Sequence, residues 1–136
     1  MFDTVLIAGL GLMGGSMAKT IKARTLSRVL GWNRTRATAE QALADGSIDA
    51  IATEALYKEA DLVIIGLYPQ ATVDWLLENM PKMKKGCVIV DMVGVKQFMV
   101  DHLEQAALDA GVHYVGGHPM AGREFSGLDY SLPTLF

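Results

Sequence analysis

The 136-residue chain has little of several features that mark particular protein classes. Its one cysteine, Cys87, cannot form an internal disulfide, and the apolar residues 88–90 that follow it favour a buried, inert thiol. Lys and Arg number 12 against 15 Asp and Glu, so the chain lacks the basic excess of nucleic-acid-binding proteins. It has no apolar run long enough to span a bilayer. We therefore predict no nucleic-acid or membrane partner, no metal site and, by default, a cytoplasmic location.

What the chain does contain is a regular alternation of short apolar runs with helical patterns. Runs that are apolar throughout and alternate with helices indicate a parallel sheet covered on both faces. We predict an α/β fold with a doubly wound parallel sheet, in one domain that takes up residues 1–136. The predicted strands are residues 4–8, 28–32, 48–52, 61–67, 86–91 and 112–115, and the predicted helices are residues 12–23, 35–44, 71–80 and 95–110.

A glycine-rich turn follows the first predicted strand. The sequence GLGLMG begins at Gly9 and fits G-x-G-x-x-G between a strand and a helix, the context in which this pattern binds a dinucleotide. Gly9 permits the tight turn, Gly11 lets the backbone approach a pyrophosphate, and Gly14 lets the helix pack closely. The amides at the helix start, at Leu12 and Met13, then receive the anion. The alternative is a glycine-rich turn that binds nothing.

The end of the second predicted strand bears on which dinucleotide binds. NAD sites commonly place an Asp or Glu there, but this chain has Asn33, Arg34 and Thr35. Arg34 can hold a 2′-phosphate through charge-assisted hydrogen bonds, and Thr35 can add another. We therefore favour NADP over NAD as the cofactor. The alternative is that Arg34 points into solvent and Asn33 holds the ribose of NAD.

Three further strand ends point to the same edge of the predicted sheet. Ligands of open parallel sheets bind beyond the carboxyl ends of the strands, so we expect a nicotinamide extending from the glycine turn to reach these residues. They are Leu67, Tyr68 and Pro69 after the fourth strand, Asp91 and Gly94 at the fifth, and Gly117 and His118 after the sixth. We favour a structural role for the Asp91 carboxylate over a polar contact with the nicotinamide.

His118 lies between residues that restrict its surroundings. Gly116 and Gly117 allow a ligand to approach, and Pro119 fixes the chain after the histidine. An imidazole near its normal pKa accepts a proton at neutral pH, which hydride removal from a carbon bearing a hydroxyl requires. From these residues alone, a general base and a structural histidine in a turn are equally good interpretations.

The segment GGHPMAG that begins at Gly116, with Glu124 and the pair SG at residues 126–127, resembles the prephenate dehydrogenase family. With the GLGLMG turn and the segment DMVGVK that begins at Asp91, the resemblance covers essentially the whole chain. It implies a Rossmann domain that takes part in oxidative decarboxylation of prephenate, or of its amino analogue arogenate, in tyrosine biosynthesis. It also implies that His118 takes up the proton of the substrate hydroxyl, with Gly117, Arg123 and Glu124 at the substrate.

The chain departs from the family pattern in three ways. Gly94 stands where the family often carries a serine beside the histidine. Arg123 stands where a small hydroxyl residue is common, and it either contacts a substrate carboxylate or is solvated. Family members continue into a helical domain that dimerises and completes the substrate pocket. We therefore expect this chain to be a fragment or truncated form, weakly active or inactive alone, and a homodimer where the helical domain is present.

Two other functions fit parts of the sequence. β-Hydroxyacid and imine reductases share the glycine turn and the Asn-Arg-Thr end of the second strand. They usually take their base from a later helical domain, so the histidine motif after the sixth strand counts against them. A non-catalytic nucleotide-binding module is the third interpretation, and only the missing second domain favours it.

Overall fold

The structure, a computed structural model, describes residues 2–92 and 96–116. Within these residues six strands form one parallel sheet with the order β3-β2-β1-β4-β5-β6. The strands are β1 (Thr4–Ala8), β2 (Arg28–Trp32), β3 (Ala50–Ile51), β4 (Leu62–Ile65), β5 (Val88–Asp91) and β6 (His113–Gly116). The helices are α1 (Leu12–Arg24), α2 (Arg36–Ala44), α3 (Glu54–Tyr57), α4 (Pro69–Asn79) and α5 (Lys96–Ala110), and a 3-10 turn at Met80–Lys82 follows α4. The predicted α/β fold with a doubly wound parallel sheet is confirmed.

The order of the strands reverses between β1 and β4. Ala8 is the last residue of β1, and it pairs with Trp32 at the end of β2 on one side and with Ile65 at the end of β4 on the other. The connections that follow β1 and β4 therefore leave in opposite directions along the sheet. Such a switch point opens a crevice at the carboxyl edge, which is where doubly wound sheets bind their ligands.

Successive residues of β1 enter two separate apolar cores. Leu6 packs in the core under α4 and α5, whereas Ile7 packs in the core under α1 and α2. This alternation follows from the two-residue period of a strand, and helices on both faces bury both sets of side chains. Strand β5 departs from the prediction that both of its faces are buried, because Val88 and Val90 remain half-exposed.

Among the helices of residues 2–92 and 96–116, none combines the length and the hydropathy of a membrane-spanning segment.

Several predicted boundaries were wrong. Strand β3 has two residues, and β4 spans Leu62–Ile65, which is shorter at both ends than the predicted residues 61–67. Helix α4 begins at Pro69, two residues before the predicted start, since a proline suits the first helical position. Helix α2 begins at Arg36, one residue after the predicted start, and the Thr35 side chain before it makes no capping hydrogen bond.

Helix α3 was not predicted. Its four residues are too few to show a helical period in the sequence. The helix brings the buried Tyr57 against Trp75, with ring centroids 5.5 Å apart, and Trp75 in turn contacts Trp32 at 5.6 Å. Burial raises the pKa of Tyr57 to about 12. The short helix thus completes an aromatic cluster under the end of β2.

Candidate dinucleotide-binding cleft

A cleft of about 560 Å³ opens at the carboxyl edge of the sheet, where the strand order reverses. It brings together nine residues predicted to bind a cofactor: Gly9, Gly11, Leu12, Met13, Asn33, Arg34, Leu67, Tyr68 and Pro69. Gly66, Ala71 and Met92 also line it and were not predicted, although Met92 directly follows β5. Gly14 and Thr35 were predicted but do not line the cleft. Gly94, Gly117, His118, Arg123 and Glu124 lie outside the described residues.

The floor of the cleft is a turn that requires glycine. Gly9 has φ +95°, a conformation that other residues rarely adopt. Its N–H donates to the Trp32 carbonyl at 2.8 Å, and the Gly66 N–H donates to the Ala8 carbonyl at 2.8 Å. A Cβ on Gly9 would lie 2.8 Å from the Gly66 carbonyl oxygen. The ends of β1, β2 and β4 are thus joined too closely for a side chain at this position.

The other two glycines of the motif have different surroundings. A Cβ on Gly14 would lie 1.7 Å from the Gly9 carbonyl oxygen, so the first turn of α1 packs directly on the glycine turn. A Cβ on Gly11 would meet nothing within 4 Å. Gly14 therefore serves packing, as predicted, whereas Gly11 leaves room on the cleft side of the turn. A pyrophosphate group needs that room to approach the backbone.

The amino terminus of α1 supplies donors for an anion. The first hydrogen bond of the helix runs from the Gly15 N–H to the Gly11 carbonyl at 2.8 Å. The N–H groups of residues 12–14 therefore precede the helical ladder. No acidic side chain lies in the first turn of this 13-residue helix, so its positive dipole end is not neutralised there. The turn and the helix together fit the pyrophosphate of a dinucleotide.

Asn33 joins the end of β2 to the glycine turn. Its Oδ1 accepts the Leu10 N–H at 2.9 Å, and its Nδ2 donates to the Thr35 carbonyl at 3.0 Å. The sequence prediction missed this contact, which links residues 23 positions apart. Asn33 thus holds the wall of the cleft in place, whichever dinucleotide binds.

Arg34 is the cation of the cleft wall. Its side chain is exposed and lines the cleft. Within the described part of the chain Arg34 forms no ion pair, whereas Arg36 pairs with Glu40 at 3.3 Å. The described lining residues include no carboxylate. The Arg34 guanidinium is therefore available to a negatively charged ligand group.

The turn between β4 and α4 is fixed by a buried threonine. The Oγ1 of Thr72 donates to the Leu67 carbonyl at 3.1 Å, and its N–H donates to the Tyr68 carbonyl at 2.8 Å. Pro69 restricts the backbone at the start of the helix. Tyr68 is nevertheless 86% exposed, so an aromatic ring on a rigid turn stands at the cleft.

Strands β5 and β6 are linked by a part-buried polar contact near their carboxyl ends. The Tyr114 hydroxyl donates to Asp91 Oδ2. Burial and this hydrogen bond raise the pKa of Tyr114. Asp91 is 1% exposed and does not line the cleft, which agrees with the structural role we favoured for it. The next residue, Met92, does line the cleft, and its N–H donates to the Ile65 carbonyl at 2.9 Å.

The other reactive side chains among the described residues lie away from the cleft. His102 is exposed on α5, with Nδ1 2.8 Å from the Phe98 carbonyl. His113 is exposed at the amino end of β6, the opposite edge of the sheet. Cys87 is buried, and burial raises the pKa of its thiol to about 11. The thiol is therefore inert at neutral pH, as predicted.

The sequence of this chain matches one protein family over most of its length. The family model described as the prephenate dehydrogenase nucleotide-binding domain matches residues 17–136. The prephenate dehydrogenase of Bacillus subtilis is 38% identical over 140 residues, which cover 100% of this chain and 38% of that protein. The family match begins after the glycine turn, whereas the Bacillus subtilis alignment includes that turn.

Solved structures share the fold. Prephenate dehydrogenase from Aquifex aeolicus, in complex with hydroxyphenyl propionate and NAD+, has a TM-score of 0.86 at 27% identity, covering 99% of this chain and 48% of that one. An imine reductase from Myxococcus stipitatus in complex with NADP+ has a TM-score of 0.73 at 25% identity, covering 93% and 43%. This chain spans less than half the length of each of these relatives. With the family match over residues 17–136, it belongs to the prephenate dehydrogenase family, as the nucleotide-binding domain.

Proposed function

We propose that the protein carrying this domain catalyses the oxidative decarboxylation of prephenate, or of arogenate, with NADP or NAD. One observation carries the proposal. The carboxyl end of β6, at Gly116, lies on the same edge of the parallel sheet as the glycine turn after β1. The motif that contains His118 follows Gly116 directly in the chain. The described part of the chain therefore ends, two residues before His118, at the edge at which the dinucleotide cleft opens.

The described residues fit a nicotinamide dinucleotide. The start of α1 and the open side of Gly11 suit its pyrophosphate. Arg34, with no carboxylate among the described lining residues, suits the 2′-phosphate, and for this reason we propose NADP as the preferred cofactor. When bound, the cofactor accepts the hydride that leaves the substrate.

The chain's own chemical task is then to take up one proton and return it. A hydride leaves the ring carbon that bears the hydroxyl, and His118, hydrogen-bonded to that hydroxyl, takes up its proton as the carbonyl forms. Carbon dioxide then departs, its bonding electrons make the ring aromatic, and the proton returns to the ring oxygen to give the phenol. Aromatisation supplies much of the driving force, so orienting the substrate and providing one base is sufficient. Gly117, Arg123 and Glu124 are the candidate substrate contacts.

The relatives support this substrate class. The Bacillus subtilis relative is a prephenate dehydrogenase, and the Aquifex aeolicus enzyme binds hydroxyphenyl propionate, an aromatic carboxylate, together with NAD+. Because this chain covers 38% of the former and 48% of the latter, the remainder of such a protein would complete the substrate pocket. We propose that this remainder also forms a homodimer, and that the protein works in the cytoplasm.

The test is a spectrophotometric assay of the full-length protein with prephenate and with arogenate, each combined with NADP and with NAD. Reduction of the cofactor with either substrate supports the proposal, and a lower Michaelis constant for NADP supports the preference assigned to Arg34. Saturable cofactor binding without turnover on either substrate contradicts the enzymatic proposal and favours a non-catalytic nucleotide-binding module.

A second enzymatic candidate is a β-hydroxyacid or imine reductase. The fold of the Myxococcus stipitatus imine reductase, which binds NADP+, favours it. The family match does not, because it extends through the histidine motif to residue 136. Oxidation of NADPH by a cyclic imine, with no reaction of prephenate, would select this candidate.

A further inference from the structure

Asp91 of β5 and Tyr114 of β6 are two polar side chains on one face of the sheet. In the β5–β6 ladder Ile89 pairs with Tyr114, and Asp91 pairs with Gly116. Asp91 and Tyr114 are therefore diagonal neighbours on the same face, close enough for the Tyr114 hydroxyl to donate to the Asp91 carboxylate. Neither residue lines the cleft.

Packing alone does not account for this pair. The face that Asp91 shares with Ile89 is covered by α5, whose Met99 and Leu103 are fully buried and apolar. A buried carboxylate costs free energy unless its oxygens accept hydrogen bonds. An apolar residue would fill the same space without that cost, so the pair calls for a role beyond filling the core.

The location of the pair indicates what that role is. Asp91 is the last residue of β5, and Met92 beside it lines the cleft. Tyr114 lies two residues before the end of β6 and four before His118. The hydrogen bond therefore joins β5 and β6 near their carboxyl ends, at the edge of the sheet where the cleft opens. Catalytic side chains must be held within about 0.5 Å of their productive position, and hydrogen bonds between neighbouring residues supply that support.

We propose that Tyr114 and Asp91 are a positioning pair, which fixes the ends of β5 and β6 and so supports His118 in its proposed role beside the bound nicotinamide. This inference rests on the proposed function, since it gives His118 a task beside the cofactor. Neither residue touches substrate or cofactor. Their effect is on the geometry of the base and not on the binding of the dinucleotide.

The test uses the imidazole signals of the 136-residue chain in NMR spectra. The chain has three histidines, and His118→Asn identifies the His118 signal. In the unaltered chain, saturation with whichever of NADP and NAD binds more tightly should shift that signal. In Tyr114→Phe, which removes only the hydroxyl, the cofactor dissociation constant should stay within about twofold while the His118 shift falls about twofold or more.

Tyr57→Phe is the matched control, because it removes the hydroxyl of another core tyrosine, one that is buried in the aromatic cluster under β2. It should leave the His118 shift unchanged. If Tyr114→Phe does not fold, the double variant Tyr114→Phe with Asp91→Asn replaces the carboxylate by an amide that costs less to bury, and it should lose the shift in the same way.

The outcomes separate this inference from the proposed function. If the cofactor binds to the unaltered chain and the His118 signal does not shift, the proposed function is wrong in placing His118 beside the cofactor. The inference is then wrong as well. If His118 responds equally in the unaltered chain and in Tyr114→Phe, the positioning pair alone is wrong. In the full-length enzyme, Tyr114→Phe should lower kcat about tenfold to a hundredfold with the KM for cofactor unchanged.

Discussion

Asn33 Oδ1 accepts the backbone N–H of Leu10 at 2.9 Å, and this contact ties the end of β2 to the glycine turn. Asn33 also donates to the Thr35 carbonyl at 3.0 Å, so one side chain holds both the floor and the wall of the cleft. The shape of the site is therefore set by contacts within the chain before a ligand arrives. Preorganisation of this kind reduces the entropy lost on binding.

Asn33→Leu should weaken both stability and cofactor binding. The variant leaves the Leu10 N–H without its acceptor, and such a loss costs about 1–3 kcal/mol when the group is shielded from water. Thermal unfolding and titration with cofactor measure the two effects. Asn33→Asp is the control: it keeps the oxygen acceptor for the Leu10 N–H and loses only the exposed hydrogen bond to the Thr35 carbonyl, so it should be more stable than Asn33→Leu, while its charge should weaken NADP binding more than NAD binding. An Asn33→Leu variant as stable as the parent would contradict the structural role.

Arg34→Gln should lower the affinity for NADP about tenfold to a hundredfold and change the affinity for NAD little, because one charge-assisted hydrogen bond contributes about 1.5–3 kcal/mol. Calorimetric titration with each cofactor measures the difference. Arg36→Gln is the matched control, since Arg36 is exposed, pairs with Glu40 and does not line the cleft. Equal losses in the two variants would rule out a specific role for Arg34.

Gly11→Val should impair cofactor binding, whereas Gly14→Ala should impair stability. A Cβ on Gly11 meets nothing within 4 Å, so Gly11→Val should keep its melting temperature and lose cofactor binding. A Cβ on Gly14 would lie 1.7 Å from the Gly9 carbonyl oxygen, so Gly14→Ala should destabilise the fold although alanine favours helices. Circular dichroism and cofactor titration separate the two results. A stable Gly14→Ala variant would show that α1 can move away from the turn.

His118→Asn in the full-length protein should leave cofactor affinity nearly unchanged and reduce turnover by roughly two to four orders of magnitude, the usual contribution of a general base. Steady-state kinetics with prephenate measure the effect. His113→Asn is the control, because His113 lies at the opposite edge of the sheet. If His118→Asn turns over at the parental rate, the histidine has no part in the proton transfer.

Cys87 should resist alkylation in the folded chain. Its pKa of about 11 keeps the thiol protonated at pH 8, and burial blocks the reagent as well. Treatment with iodoacetamide at pH 8 should modify the thiol only after denaturant unfolds the chain, and mass spectrometry reports the extent. Raising the pH towards 11 should increase the thiolate fraction, but labelling should stay slow until the fold opens. Rapid labelling of the native chain at pH 8 would contradict the buried position.

The elements that the sequence predicted well are those with a strong local pattern. Strand β1 and the glycine turn follow from an apolar run next to G-x-G-x-x-G, and the structure places them as expected. Helix α3 was missed because four residues show no period. The start of α4 was misplaced although Pro69 carried a usable signal for a first helical position.

The contacts that shape the cleft were the least predictable part. Asn33 reaches Leu10 across 23 residues, and Tyr114 reaches Asp91 across another 23. Partners so far apart in the chain become neighbours only once the sheet order is known. Sequence patterns show which residue types stand at the strand ends, but not which of them use their polar groups on each other.

The aromatic cluster under β2 determines the intrinsic tryptophan fluorescence of the chain. Both of its tryptophans, Trp32 and Trp75, are in that cluster, with ring centroids 5.6 Å apart, and the Trp32 carbonyl accepts the Gly9 N–H. All indole emission therefore originates next to the floor of the cleft. Reduced nicotinamide absorbs in the range where tryptophan emits, so a bound reduced cofactor should quench the fluorescence by energy transfer. Binding can then be followed in the unlabelled chain.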